Sequence, residues 1–128
     1  MITAEGGQDR YSTLLSNGSA LIHADTTQDK GGDGKYFRPH DLLCAGYAAC
    51  LNISIRMVMD YMSVKYDNVL TQVDLDRSKD DKTIFLYQVE IVGDITPETK
   101  EAVIAKALNC PVRKTLSKAL DFQPLHRK

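Results

Sequence analysis

Two short apolar runs near the start, Tyr11-Ser12-Thr13-Leu14-Leu15 and Ala20-Leu21-Ile22-His23-Ala24, flank Ser16-Asn17-Gly18-Ser19. Asn-Gly between apolar runs is a strong turn signal, so residues 10–25 are predicted to form a β-hairpin. Residues 26–38 contain Asp29-Lys30-Gly31-Gly32-Asp33-Gly34-Lys35 and read as a mobile loop. It is no phosphate cradle, because Tyr36 stands where a P-loop needs Ser or Thr and no helix follows directly. A principal helix is predicted over 39–62, with Pro39 in the first turn and Asp41 complementing the dipole. From Leu42 to Leu51 this helix has no polar face, and a helix apolar all round must be covered on every side. It therefore reads as a central helix shared with a partner subunit, with burial inside its own monomer as the alternative.

Beyond the helix the period changes to two. Val69, Thr71, Val73 and Leu75 alternate with more polar neighbours, as do Phe85, Tyr87, Val89 and Ile91, and Lys79-Asp80-Asp81-Lys82 joins the two runs. These are two strands and a polar hairpin loop. Gly93-Asp94-Ile95 ends the second strand, and Thr96-Pro97-Glu98 supplies an N-cap, a first-turn proline and a helpful acid for another helix. That helix turns Val103, Ile104, Ala107 and Leu108 inward and stops near Asn109. A further helix starts at Cys110-Pro111, and Leu120-Asp121-Phe122 reads as a last short strand. The order β-β-α-β-β-α-α predicts an α+β domain with antiparallel sheet.

Composition narrows the function classes. A chain of 128 residues is expected to be one domain, and 43% hydrophobic content is enough for a core. A net charge of −1 with no basic block argues against nucleic acid as a partner. The start, Met1-Ile2-Thr3-Ala4-Glu5-Gly6-Gly7, does not read as a signal peptide. No segment is expected to reach the length of a membrane span. Three cysteines, an odd count, suit thiol chemistry in a reducing cytoplasm better than a disulfide scaffold.

The candidate chemistry centres on those thiols. Proline favours the first helical position, so Cys110 falls at an N-cap, where the dipole and unpaired N–H groups favour a thiolate. Cys110 is thus read as an activated cysteine. Cys50, within the apolar helix, reads by itself as an inert core residue. Cys44 lies about 240° around the helix from it and reads as core packing. His23, His40 and His126 show no metal-ligand spacing, so no metal site is expected. His40, at the helix start, is a possible partner for a thiol or a solvated first-turn residue.

Three segments together carry a family resemblance: Pro39-His40-Asp41-Leu42-Leu43, then Ala45-Gly46-Tyr47-Ala48-Ala49-Cys50, and Asn109-Cys110-Pro111-Val112. With Gly93-Asp94-Ile95-Thr96-Pro97-Glu98 at the strand-to-helix junction, the chain from about Gly6 to about Phe122 resembles the OsmC/Ohr family, the osmotically inducible and organic hydroperoxide resistance proteins. The resemblance implies an OsmC-like domain over 1–128, forming an intertwined homodimer in which sheets wrap two long central helices. It implies a thiol peroxidase in which Cys50 attacks the peroxide and Cys110 resolves the resulting sulfenic acid as a disulfide. This inverts the order of reactivity read from the residues alone. The peroxide-reducing branch carries arginine after a Gly-Gly pair and glutamate after the helix-start proline, where this chain has Gln8 and His40. Arg10 or His40 would then supply positive charge, and Asp41, at an acidic position common to the family, would orient the pocket. Apolar walls at Leu43, Tyr47 and Met57 imply an organic hydroperoxide as substrate. Electrons would come from an external dithiol with no bound cofactor. Two other readings stay open: a binding module for a small hydrophobic ligand, and a redox sensor that forms the disulfide without turnover.

Overall fold

A computed structural model describes residues 1–126. The chain falls into two compact units, the first ending at Ala45 and the second running from Gly46 onward. The boundary lies within the longest helix.

In the first unit, β1 (Thr3–Gly6), β2 (Thr13–Ser16) and β3 (Leu21–Ala24) form an antiparallel sheet in that order. The predicted hairpin is present as β2–β3, with Ser16 opposite Leu21. Asn17 makes its turn: its Oδ1 accepts from the N–H groups of Ser19 at 2.9 Å and Ala20 at 2.7 Å, and Gly18 takes φ +99°. Strand β1 has no counterpart in the sequence reading, because all four of its residues are exposed and it shows no apolar alternation.

The glycine-rich stretch is more ordered than the expected mobile loop. Asp25, only 4% exposed, accepts from Thr26 N–H at 2.7 Å and Asp33 N–H at 3.1 Å, pinning both ends of the loop. A single 3-10 turn, Gln28–Lys30, sits between, and Asp25 N–H donates to Phe37 O at 2.9 Å. Gly32 has no room for a side chain, since a Cβ there would lie 2.4 Å from Thr26 O.

Helix α1 (Pro39–Tyr61) runs for 23 residues. It is long and apolar enough to cross a membrane by length and composition, which corrects the expectation that no segment reaches that length. Asn52, Ser54 and Arg56 do not interrupt its apolar character enough to shorten the run. Within the chain, however, α1 is covered on one stripe only: Tyr47, Leu51, Ile55 and Met59, spaced by four, are buried, while Ile53 and Met57 are exposed. The helix ends in a Schellman cap: Val64 N–H donates to Met59 O at 2.8 Å, Ser63 N–H to Asp60 O at 3.2 Å, and Ser63 adopts φ +57°.

In the second unit, β4 (Asn68–Asp76) and β5 (Ile84–Val92) form an antiparallel hairpin. The two alternating sets read from the sequence face each other: Val69 opposes Ile91, Thr71 opposes Val89, Val73 opposes Tyr87 and Leu75 opposes Phe85. Helix α2 (Pro97–Ala107) starts as predicted, with Thr96 Oγ1 accepting from Thr99 N–H at 3.2 Å and Pro97 in the first turn. Val103 and Ala107 of α2 close the core against Leu51, Ile55, Met59, Val69 and Ile91. Two polar contacts tie α1 to β4: Asn52 Nδ2 donates to Val69 O and Thr71 Oγ1 to Ala48 O, each at 2.9 Å. Such bonds satisfy carbonyls that neither the helix nor the ladder serves fully. Helix α3 (Pro111–Leu116) follows. The strand expected at Leu120-Asp121-Phe122 is not formed. The segment is irregular and pairs with nothing in the sheet, and Phe122 is 91% exposed.

Candidate active site

The second unit brings two thiols together. Cys110 is the N-cap of α3, with extended backbone (φ −67°, ψ 161°) and Pro111 in the first turn, as the sequence predicts. Its carbonyl accepts the first helical bond, from Lys114 N–H at 3.0 Å. Cys50, on α1, is half-buried and packs against the cluster that contains Cys110. Cys50 lies near enough to Cys110 for its side chain to push the Cys110 pKa up, and both thiols are free. The backbone N–H of Val112, one of the unpaired amides at the head of α3, donates to Cys50 Sγ at 3.4 Å.

This geometry corrects the reading of Cys110 as the activated thiol. Cys110 is 3% exposed, and burial pushes its pKa above the ordinary thiol value. The amides of Arg113 and Val112 pull the other way, while the Cys50 side chain adds to the upward push. An N-cap position lowers a thiol pKa only when the sulfur keeps access to the amides and to water. Here desolvation wins, and the Val112 amide at the helix head also donates to Cys50.

Beside the thiols stands a tyrosine–arginine cluster that the sequence reading did not single out. Tyr47, buried in the same cluster as Cys110, meets Phe85 edge-on at 5.8 Å and Tyr87 edge-on at 6.2 Å between ring centroids. The guanidinium of Arg113 lies 5.9 Å over the Tyr87 ring. The Tyr87 hydroxyl, with a smaller contribution from Tyr47, favours its charged form. Burial raises the Tyr47 pKa, and the Arg113 charge opposes that rise. The sequence carried no signal that singles out Arg113: in a six-residue helix it also falls in the last turn, where a cation suits the macrodipole. Tyr47 and Arg113 also line a cleft of about 600 Å³, walled by the Lys79–Thr83 loop, Phe85, Tyr87 and the end of α3. Of the apolar walls expected from the sequence, Leu43, Tyr47 and Met57, only Tyr47 lines it, and Met57 is 65% exposed.

The other three predicted site residues belong to the first unit. Arg10 is exposed and its Nη1 donates to Gly31 O at 3.5 Å. His40 is exposed in the first turn of α1. Asp41 is engaged by Arg38, which donates from Nη2 at 2.9 Å, Nε at 3.2 Å and its backbone N–H at 2.9 Å. Those bonds hold the Asp41 carboxyl below the usual carboxylate range. The structure thus brings Cys50 and Cys110 into one packed cluster, while Asp41 is committed to Arg38.

Comparison with known proteins places this arrangement. The chain is similar in fold to an organic hydroperoxide resistance protein from Legionella pneumophila (24% identity over 91% of this chain and 88% of that one, TM-score 0.66). It is similar to an OsmC-like protein from Mycoplasma pneumoniae (22% identity, 91% and 85% covered, TM-score 0.75). An organic hydroperoxide resistance protein of Bacillus subtilis is also similar (22% identity, 91% and 89% covered, TM-score 0.62). No curated protein matches the chain. The family model described as OsmC-like protein matches residues 32–124, a span that takes in both cysteines and the helices that carry them, and the chain belongs to the OsmC-like protein family.

Proposed function

We propose that this protein is a thiol peroxidase that reduces organic hydroperoxides, with Cys50 as nucleophile and Cys110 as resolving thiol. The observation that carries the reading is the Val112 N–H donated to Cys50 Sγ, with the Cys110 thiol alongside. An amide aimed at a sulfur offers a partner for negative charge there. Membership of the OsmC-like family, and fold neighbours named as organic hydroperoxide resistance proteins, support a redox role.

The Cys50 thiolate attacks the outer peroxide oxygen and the O–O bond breaks. The departing alkoxide takes a proton and leaves as the alcohol, and Cys50 becomes a sulfenic acid. The Cys110 thiolate then attacks the Cys50 sulfur, hydroxide leaves and is protonated to water, and the disulfide forms. An external dithiol restores both thiols by exchange. In this reading Arg10 or His40 supplies positive charge and Asp41 orients the pocket. Single R10Q, H40Q and D41N variants, each measured for kcat and KM, test those roles. It also includes a homodimer, supported by the exposed apolar positions on α1. Sedimentation should give a species of twice the 14.3 kDa chain mass.

The experiment is a peptide map after treatment with a bulky organic hydroperoxide. Wild-type protein should yield a Cys50–Cys110 disulfide. C50S should consume no peroxide, and C110S should react once and then over-oxidise at Cys50. A map with both thiols unchanged would overturn the reading. One observation favours the binding-module alternative: neither Cys50 nor Cys110 lines the 600 Å³ cleft.

A further inference from the structure

We infer that the cleft beside α3 is a binding site for a small organic carboxylate with an apolar body, and that Arg113 anchors the carboxylate. The inference rests on the cleft alone and on neither reading of the thiols.

Arg113 is half-buried, yet among the described residues no carboxylate lies within ion-pair distance of it. Its neighbours are aromatic: it lies over Tyr87 and beside the Tyr47–Phe85–Tyr87 cluster. A guanidinium taken partly out of water, with aromatic rings but no counter-ion, leaves a charge that a ligand can satisfy. Only Nη1 is engaged with protein backbone, with Leu108 O at the long distance of 3.5 Å. The Tyr87 and Tyr47 hydroxyls also favour its charge, but they are neutral partners, and the planar guanidinium keeps the fork that matches a carboxylate in bidentate fashion.

The surroundings define the rest of the ligand. The cleft of about 600 Å³ is of the size that holds a small molecule. Phe85, Leu116 and Leu120 give it apolar surface for a hydrocarbon or aryl body. Lys79, Lys82 and Lys118 line it together with Arg113, so cations outnumber the two acids, Asp80 and Asp81, and the field favours an anion. Arg113 is the single guanidinium in the lining, and its planar fork pairs with the two oxygens of one carboxylate, with no second guanidinium to take the third oxygen of a phosphate monoester.

Calorimetric titration of the reduced protein with octanoate, octanamide and octyl phosphate tests this. Octanoate should bind about tenfold more tightly than octanamide, the difference expected of a charge-assisted pair. Octyl phosphate should bind more weakly than octanoate. R113Q should bring octanoate and octanamide to within about twofold of each other, and R113K, which keeps charge without the fork, should fall between. The wild-type comparison needs no variant and stands even where R113Q fails to fold. Equal affinity of octanoate and octanamide in the wild type, or a preference that survives R113Q in folded protein, would overturn the proposal. Octyl phosphate binding as tightly as octanoate would overturn the carboxylate assignment.

Discussion

The backbone N–H of Val112 donates to the Sγ of Cys50 at 3.4 Å, joining α3 to α1 across 62 residues of sequence. The proline that starts α3 places Cys110 at the cap, and the second helical residue turns its amide to the other thiol. The head of one short helix therefore serves two cysteines unequally. It supplies Cys50 with a hydrogen bond while burying the sulfur of Cys110.

This asymmetry sets an order of reactivity. We expect iodoacetamide at neutral pH to label Cys50 before Cys110 in the reduced protein. Cys50 is half-buried and carries the amide hydrogen bond, whereas Cys110 is buried with its pKa pushed up by desolvation. Timed alkylation followed by peptide mass spectrometry reads the order directly. Labelling of Cys110 first would mean that the cap amides outweigh burial after all.

Stability should fall on the alkaline side. Cys110 and Tyr47 both have pKa values raised in the folded state, mainly by burial. A raised acid binds its proton more tightly folded than unfolded, so its contribution is complete below the unfolded pKa and is lost as pH rises through the folded one. The window opens near the unfolded thiol value of about 8.5 and continues through the tyrosine value of about 10. Urea unfolding of reduced protein from pH 7 to 11 should show stability falling across that range. C110S should show a shallower fall at its lower end.

Much of this architecture is legible in the residues. Thr96-Pro97 and Cys110-Pro111 fix two helix starts, because a cap and a first-turn proline act locally and no tertiary contact has to agree. Asn17-Gly18 fixes a turn for the same reason. The alternating sets of β4 and β5 mark the two strands, and the structure sets them opposite one another. What the sequence does not carry is environment. Cys110 at a cap looks activated until burial is known, and Cys50 in an apolar run looks inert until the Val112 amide is found beside it. Leu120-Asp121-Phe122 has strand-like alternation but no partner strand, so it stays irregular. Arg113 gains its meaning only from Tyr87, 26 positions earlier in the chain.

The end of α1 offers a stabilising change. Ser63 holds φ +57° at the left-handed position of the Schellman cap, a conformation that costs a residue with a Cβ about 1 kcal/mol. Glycine adopts it without that cost. S63G should therefore raise stability by up to about 1 kcal/mol, seen as a melting temperature several degrees higher for a chain of this size. A lower melting temperature would show that the Ser63 side chain contributes more than its backbone strain removes.

The last expectation concerns the oxidised state. Cys50 packs against the cluster that holds Cys110, so we expect a bond between them to need little movement of α1 or α3. It would close a loop of about 60 residues, and loop-closure entropy for that length stabilises the folded state by about 4 kcal/mol in the chain-entropy model. Two native features oppose the full effect. The Val112 N–H partner changes once the Cys50 sulfur enters the disulfide, and both side chains must adopt disulfide geometry inside a core that packs Cys110 tightly. We expect the net effect to remain positive, so that oxidised protein melts higher than reduced protein. It should also resist urea to a higher midpoint. The comparison is made on one preparation, split into peroxide-treated and dithiothreitol-treated halves, with C50S as the control in which the two halves should melt together. An oxidised half that carries the mapped disulfide yet melts lower would mean that forming the bond strains α1. The resulting strain would favour rapid re-reduction by a dithiol.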